Sequence, residues 1–308
     1  MTLMTRREFH AAVATGAAAS ASLAGRAQAG RKLKVGHTGI TWGFAPKDAE
    51  QAIADAGSLG YWGYESFGNV LAAWDATYGL ERILDAHRIP LRSAYCPVNL
   101  TDADARAAEV KKLAGWAGLI RKLGGVVAVI GPNGVNRATF DFGASRPTIV
   151  AALNDMGKAC QDAGIVAALH QHTGTCVESR DETYAVVEGM DTRVMKFGPD
   201  VGQLQKGGAD PVRVCRDFSD VIHHVHLKDF SGGPDWQGYC PLGQGRVDVR
   251  ALVDLFEQAG RDMMIMVELD PNGNDPATGR PRPAPLTPLA SAKAARDYLQ
   301  TLGYTFRT

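Results

Sequence analysis

From residue 33 to residue 302 the chain alternates short apolar runs with longer stretches whose apolar residues recur at helical spacing. The runs at 33–37, 62–66, 90–94, 126–130, 165–170, 194–197, 223–229 (led in by Val221 and Ile222) and 263–269 predict eight strands. The fourth, Val126-Val127-Ala128-Val129-Ile130, is apolar throughout, as a strand covered on both faces should be. Between the runs, Ala49, Ala52, Ile53 and Ala56 predict a helix over 46–59, and another is expected over 80–87. Thr101 is placed to cap a long helix carrying Val110, Leu113, Ala117 and Ile120. Pro147 suits the first turn of a helix reaching about residue 163, and further helices are expected at 181–188, 211–216, 249–259 and 291–302. Eight strand–helix units argue for a closed parallel (β/α)8 TIM barrel. An open doubly wound sheet would want a Gly-rich phosphate loop after its first strand, and the two glycines of 37–43 lack that spacing. The stretch 272–288, rich in Pro, Gly and Asn, is longer than a link between the last strand and helix needs to be.

The first residues read as an address. Thr5-Arg6-Arg7-Glu8-Phe9 is a twin-arginine pattern, an Ala-rich run follows from 11 to 24, and Ala27-Gln28-Ala29 fits a small-residue cleavage site. Residues 1–29 are therefore expected to be a twin-arginine signal peptide and residues 30–308 one barrel domain. The run is too short and interrupted to span a membrane, and no cysteine near the cut suggests a lipid anchor. That address implies export in the folded state to the periplasm.

The whole chain of 308 residues balances 33 basic against 33 acidic residues. Cleavage after residue 29 would remove Arg6, Arg7, Arg26 and Glu8, leaving 30 basic against 32 acidic. That balance gives no reason to expect nucleic acid or an anionic membrane as a partner. Cys96, Cys160, Cys176, Cys215 and Cys240 are scattered and odd in number, and read as buried small residues rather than a disulfide framework.

The chemistry gathers at strand ends. In His223-His224-Val225-His226-Leu227-Lys228-Asp229, strand alternation puts His224, His226 and Lys228 on one face. One packed histidine with a lysine on the barrel rim would be the plain explanation; metal ligation by neutral imidazole is the functional one. The fifth strand ends His170-Gln171-His172, the sixth runs out through Asp200, and the eighth carries Glu268 in an otherwise apolar run. A lone carboxylate there is costly without a partner, and Lys228 is one candidate. In a barrel, groups at these ends share one rim. His170, Asp200, His226 and Glu268 would together make a mixed N/O site for one divalent ion, with Mn²⁺ taken first and Mg²⁺, Co²⁺ or Zn²⁺ as alternatives.

On these residues the chain resembles the sugar isomerase/epimerase superfamily with the xylose-isomerase-like barrel, which includes inosose dehydratases, ketose 3-epimerases and hydroxypyruvate isomerases. The resemblance rests on Trp62-Gly63-Tyr64-Glu65, His170-Gln171-His172-Thr173-Gly174-Thr175, Asp200-Val201-Gly202-Gln203, His224-Val225-His226-Leu227-Lys228-Asp229, Gly243-Gln244-Gly245-Arg246-Val247-Asp248 and Glu268. It implies metal ligands at the ends of strands five to eight, the positions of His170, Asp200, His226 and Glu268. Two departures stand out. The ketose epimerases have a glutamate where this chain has His170, used with the strand-eight glutamate as an acid/base pair on opposite faces of the substrate. Many relatives have a histidine where Gln203 stands. A histidine-rich end to strand five followed by Gly-Thr is more like the inosose dehydratase branch.

The shared chemistry of that superfamily is abstraction of a proton next to a carbonyl. Glu268, Lys228 and His172, in that order, are the candidate bases. Lys228, its pKa lowered beside a divalent cation, would offer a neutral amine; as an acid it would protonate a leaving hydroxyl. Glu65, Trp42, Gln203, His224, Trp236 and Arg246 are candidate substrate contacts. A metal-dependent isomerase or epimerase acting on a keto-sugar or polyol comes first by breadth. A lyase, of the inosose dehydratase or 3-keto-glycoside eliminase type, shares its first step, and a non-catalytic periplasmic carbohydrate-binding protein is third. A small carbohydrate is the expected partner, and a homo-oligomer stays open.

Overall fold

A computed structural model describes residues 30–77, 79–274, 278–280 and 282–308. The signal-peptide reading of residues 1–29 lies outside the described residues. The apolar runs form strands β1 (Lys34–Thr38), β2 (Tyr64–Phe67), β3 (Leu91–Val98), β4 (Val127–Pro132), β5 (Val166–Leu169), β6 (Met195–Phe197) and β7 (Val225–Leu227). A small hairpin, β8 (Asp229–Phe230) and β9 (Tyr239–Cys240), precedes β10 (Met264–Val267). Apart from the antiparallel hairpin, every pair is parallel, in the order β6-β5-β4-β3-β2-β1-β10-β7. Parallel bridges from Phe197 to Ile222 and from Asp200 to His226 join the two ends and close the ring. There the Phe197 N–H donates to the Val221 carbonyl and the His226 N–H to the Pro199 carbonyl, both at 2.9 Å.

The eighth barrel strand and the helices pack as a parallel barrel requires. Ala128 and Ile130 of β4 join the core shared with the surrounding helices, while Val127 and Val129 pack with Ala168 in a separate cluster. The helix Val249–Ala259 shows how the sequence sets an element: Val249, Leu252, Val253 and Phe256 bury one stripe. Asp248 accepts from the Ala251 N–H at 2.9 Å to cap its start, and Gly260 ends it in the left-handed region. Among the described residues no helix is long and apolar enough to cross a membrane.

Several local expectations are corrected. The seventh run yields only a three-residue strand, because Asp229 turns away to begin the hairpin. The helix Gly68–Thr77 was not expected; its alanines blur the apolar period. Thr101 does not cap the long helix, which starts at Arg106; it bonds Asn99 instead, and the Asp102 carboxylate takes the next turn's N–H groups. The helix expected to carry Pro147 in its first turn is Phe142–Asp162, started by the Asp141 cap on the Ala144 N–H, so Pro147 lies further inside it. All five cysteines are buried and free.

Candidate active site

The strand ends carry a buried polar cluster at one end of the barrel. Glu65, on β2, is at its floor: Ser93 Oγ donates to it at 2.6 Å, and His224 Nε2 and His226 Nε2 lie 2.9 and 2.7 Å from its two oxygens. His226 is also 2.7 Å from Glu268 Oε2 through Nδ1, so a carboxylate faces each of its ring nitrogens. Burial pulls the His226 imidazole down, but Glu268 and Glu65 outweigh it and hold it well above the usual histidine range. Burial likewise pushes Glu65 up, and His226 and His224 more than reverse it.

Asp200 follows β6 and starts the short helix Val201–Lys206. One of its oxygens, Oδ1, accepts from the Gln203 N–H at 2.9 Å. The other, Oδ2, turns toward His170 Nε2 at 3.9 Å and Lys228 Nζ at 3.1 Å. One atom each from His170, Asp200 and His226 falls within 4.8 Å of the others. Glu65, His224 and His226 meet the same test, but Glu65 is there the acceptor that fixes the two rings.

Lys228 is fully buried and not at the rim. Its ammonium sits 2.6 Å from Glu268, 2.9 Å from Asp270 and 3.1 Å from Asp200, and 4.4 Å over the Tyr239 ring. Burial lowers its pKa, but Asp200, Asp270 and Glu268 raise it well above the ordinary lysine range. Strand alternation alone had not brought these three carboxylates together around the lysine. Gly202 makes this approach feasible: a Cβ there would stand 2.7 Å from the lysine stem.

His172 is held by a hydrogen bond at each ring nitrogen. Its Nδ1 is 2.7 Å from the Thr173 carbonyl and so carries the proton, and its Nε2 accepts from the Gln203 amide at 2.7 Å. Gln203 is oriented by Thr173, whose N–H and Oγ both donate to its oxygen.

Two spaces with shared lining residues lie at this cluster. The inner pocket, about 140 Å³, is lined by Glu65, Tyr95, His170, His172, His226, Glu268 and Asp270 with Thr38, Ile40 and Phe67. The outer cavity, about 570 Å³, shares Ile40, His172 and Asp270 with it and adds Trp42, Phe44, Trp236 and Arg282 among others. Of the proposed substrate contacts, Glu65 reaches the inner pocket, and Trp42 and Trp236 the outer cavity. His224 stands behind Glu65, Gln203 behind His172, and Arg246 is exposed and lines neither space. Asp270 was not anticipated, although it follows Glu268 by two positions and so shares its side of the chain.

Asp229 organises the rim without facing either cavity. Its carboxylate accepts four backbone N–H groups, those of Phe230, Gly243, Gly245 and Val247, at 2.8 to 3.1 Å. A Cβ at residue 245 would lie 2.1 Å from that carboxylate, so only glycine lets the loop close on it.

Comparison with known proteins shows what the chain is similar to. An inosose dehydratase of Geobacillus kaustophilus is 25% identical over 274 residues, covering 82% of this chain and 87% of that protein. One from Clostridium beijerinckii is 24% identical over 277 residues, covering 82% and 88%. Among solved structures, the probable 3-DHS dehydratase AsbF of Bacillus anthracis superposes with a TM-score of 0.68 at 17% identity, over 87% of this chain and 99% of that one. The IolI protein, solved with a bound zinc atom, gives 0.69 at 15% identity, over 88% and 98%. Both structures share the fold. The model of the xylose isomerase-like TIM barrel family matches residues 35–301, and the chain belongs to that family.

Proposed function

We propose that this is a divalent-metal-dependent enzyme that removes the proton next to the carbonyl of a keto-sugar or oxidised polyol and then expels a neighbouring hydroxyl. The observation that carries the reading is the convergence of His170, Asp200 and His226 beside Glu268, three of which (His170, His226 and Glu268) line a pocket of about 140 Å³. Those residues fit a cation. Asp200 Oδ2 and both ring nitrogens of His226 have charged neighbours but none of these contacts has hydrogen-bond geometry, His170 Nδ1 is buried without a hydrogen-bond partner among the described residues, and the donor set is nitrogen and oxygen only. His170, Asp200, His226 and Glu268 would hold it, Mn²⁺ being our first choice and Mg²⁺, Co²⁺ or Zn²⁺ the alternatives. When bound, the cation polarises the substrate carbonyl and stabilises the negative charge that builds as the proton leaves.

The chain's own residues do the rest. Glu268 and Asp270 share Lys228 and line the same pocket, so the α-proton passes to a carboxylate on that wall. Lys228 fixes both carboxylates from behind. In elimination the C–H bond breaks, a C=C bond forms, and the C–O bond of the neighbouring hydroxyl breaks. The proton held by the carboxylate leaves with that oxygen as water. His172, fixed in orientation by Thr173 and Gln203, lines the same pocket and offers a contact to the substrate. Elimination is placed ahead of epimerisation because His170 stands where the resembling epimerases carry their second carboxylate, and because the curated relatives are inosose dehydratases. Epimerisation needs a proton-handling group on each face of the substrate; elimination can be completed from one.

The test is incubation of Mn²⁺-loaded protein with a panel of keto-sugars and inososes in D₂O. Deuterium entering an α-carbon, together with the absorbance of an α,β-unsaturated ketone, is the expected result. Exchange without that absorbance replaces elimination by isomerisation or epimerisation. Absence of exchange from every member of the panel overturns the reading.

A further inference from the structure

We infer that Thr38 and Tyr95 are specificity-determining residues of the inner pocket, and that their side-chain hydroxyls bind substrate hydroxyl groups that take no part in the reaction. This rests on the reading of the inner pocket as the place of proton abstraction. The ring of the barrel divides around that pocket. The candidate metal ligands His170, Asp200, His226 and Glu268 lie on or just after β5, β6, β7 and β10, which are consecutive once the ring closes. The consecutive strands β1, β2 and β3 form much of the rest, and Thr38, Phe67 and Tyr95 bring them into the pocket. Glu65 of β2 also lines it, but its oxygens are already engaged by Ser93, His224 and His226.

Thr38 ends β1 and is buried, yet its Oγ1 makes no hydrogen bond among the described residues. A buried hydroxyl left unpaired is costly, and one that lines a pocket is paired by what enters it. Tyr95 reaches the same space from β3, two residues beyond Ser93 and so on the same face. Its phenol oxygen likewise has no hydrogen bond to a described residue, and the ring is held by packing alone. It stands edge-on to Phe67 at 6.2 Å and to His170 at 5.5 Å. Gly131 of β4 makes room for it: a Cβ there would lie 2.1 Å from the Tyr95 ring and 2.2 Å from its hydroxyl. A fixed ring with an unused O–H is preorganised to bind a substrate oxygen.

Charge points the same way. Among the described residues no arginine or lysine lines the inner pocket, whereas Glu65, Glu268 and Asp270 do. Such a wall opposes a carboxylate or phosphate, so recognition away from the metal falls to neutral groups. Thr38 and Tyr95 carry the two hydroxyls of that lining. A site built to pair a substrate hydroxyl also rejects the analogue that lacks it, because the pocket's own polar group is then left unpaired.

The experiment uses the Mn²⁺-loaded protein with scyllo-inosose, its monodeoxy analogues and 2-ketogluconate. Neither hydroxyl bonds the protein, so Thr38→Val and Tyr95→Phe should fold as wild type does. By titration calorimetry each should bind scyllo-inosose about three- to tenfold more weakly than wild type, and Thr38→Ser should restore the affinity. For each weakened variant, one monodeoxy analogue should bind as it binds wild type, which identifies the hydroxyl that the residue reads. Wild type should prefer scyllo-inosose to 2-ketogluconate, and Mn²⁺ affinity should be unchanged in both variants. Unchanged inosose affinity in both variants, no binding of inosose by wild type, or preference for 2-ketogluconate would overturn the inference. A loss of Mn²⁺ affinity in Tyr95→Phe as large as its loss of inosose affinity would make that residue a brace for His170 and overturn its assignment. Deuterium exchange is read separately: its absence with the affinity losses intact would refute proton abstraction and spare the two specificity residues.

Discussion

Lys228 Nζ lies 2.6 Å from Glu268 Oε1 inside the barrel, and the lysine has no contact with solvent. The same ammonium also meets Asp200 and Asp270, so one cation holds three carboxylates in place. Lys228→Met should lower turnover by about two orders of magnitude or more. It should also destabilise the metal-free protein by about 3–5 kcal/mol, because buried carboxylates lose their countercharge. Added Mn²⁺ should recover part of that loss in urea unfolding. A variant with wild-type turnover and an unchanged unfolding midpoint would remove Lys228 from both roles.

Metal binding should be visible as stability. Dialysis against a chelator should lower the unfolding free energy, and Mn²⁺ at a hundred times its Kd should return about 2.7 kcal/mol. His226→Ala and Glu268→Gln should abolish that response. Glu65→Gln should keep it but weaken metal affinity by about 10–100-fold, since Glu65 faces the Nε2 side of His226 and leaves Nδ1 toward the site. Equal metal affinity in Glu65→Gln and wild type would show that this orientation does not matter.

His37 predicts the acid limb of stability. Burial pushes its imidazole down to about 4, against which its Thr38 hydrogen bond is the smaller influence. The folded protein keeps the ring neutral while the unfolded chain protonates it below its ordinary pKa near 6.5. The contribution is therefore fully present above about 6.5 and is lost as pH falls toward 4. Its upper size is about 3 kcal/mol. Urea titrations at steps across this window should show stability falling with pH, and His37→Asn should flatten that slope while lowering the plateau. An unchanged slope would assign the acid limb to other groups.

Much of this was legible along the chain, for a simple reason. Apolar runs bounded by helical periods specify a parallel barrel, and strand alternation carries His170, His226 and Glu268 to the strand ends where they are found. Alternation extended one step past Glu268 would also have reached Asp270. What could not be read is how loops meet. The Gln203–His172 pair joins two segments through side chains with no periodic signal, and His224 is separated from the cavity only because Glu65 crosses from β2. Arg246 sat in a suggestive motif, yet the motif serves the loop that Asp229 clamps, and the arginine points elsewhere.

Export is a separate expectation, carried by Arg6 and Arg7. We propose that the protein crosses the inner membrane folded, by the twin-arginine route, to the periplasm. Replacing both arginines with lysine should leave it in the cytoplasm when fractions are blotted. Continued appearance of the double variant in the periplasm would mean that the address is misread.

The Asp229 clamp has a consequence for what this barrel accepts. Convergent backbone N–H groups in a glycine-containing loop after the seventh strand are the kind of concavity in which barrels seat phosphate. Here the N–H groups of Gly243, Gly245 and Val247 already surround a carboxylate from the chain itself. The protein carries its own anion in that seat. With its donors taken and a negative charge in their midst, this loop is closed to phosphate and serves instead to brace the segment that follows the seventh barrel strand.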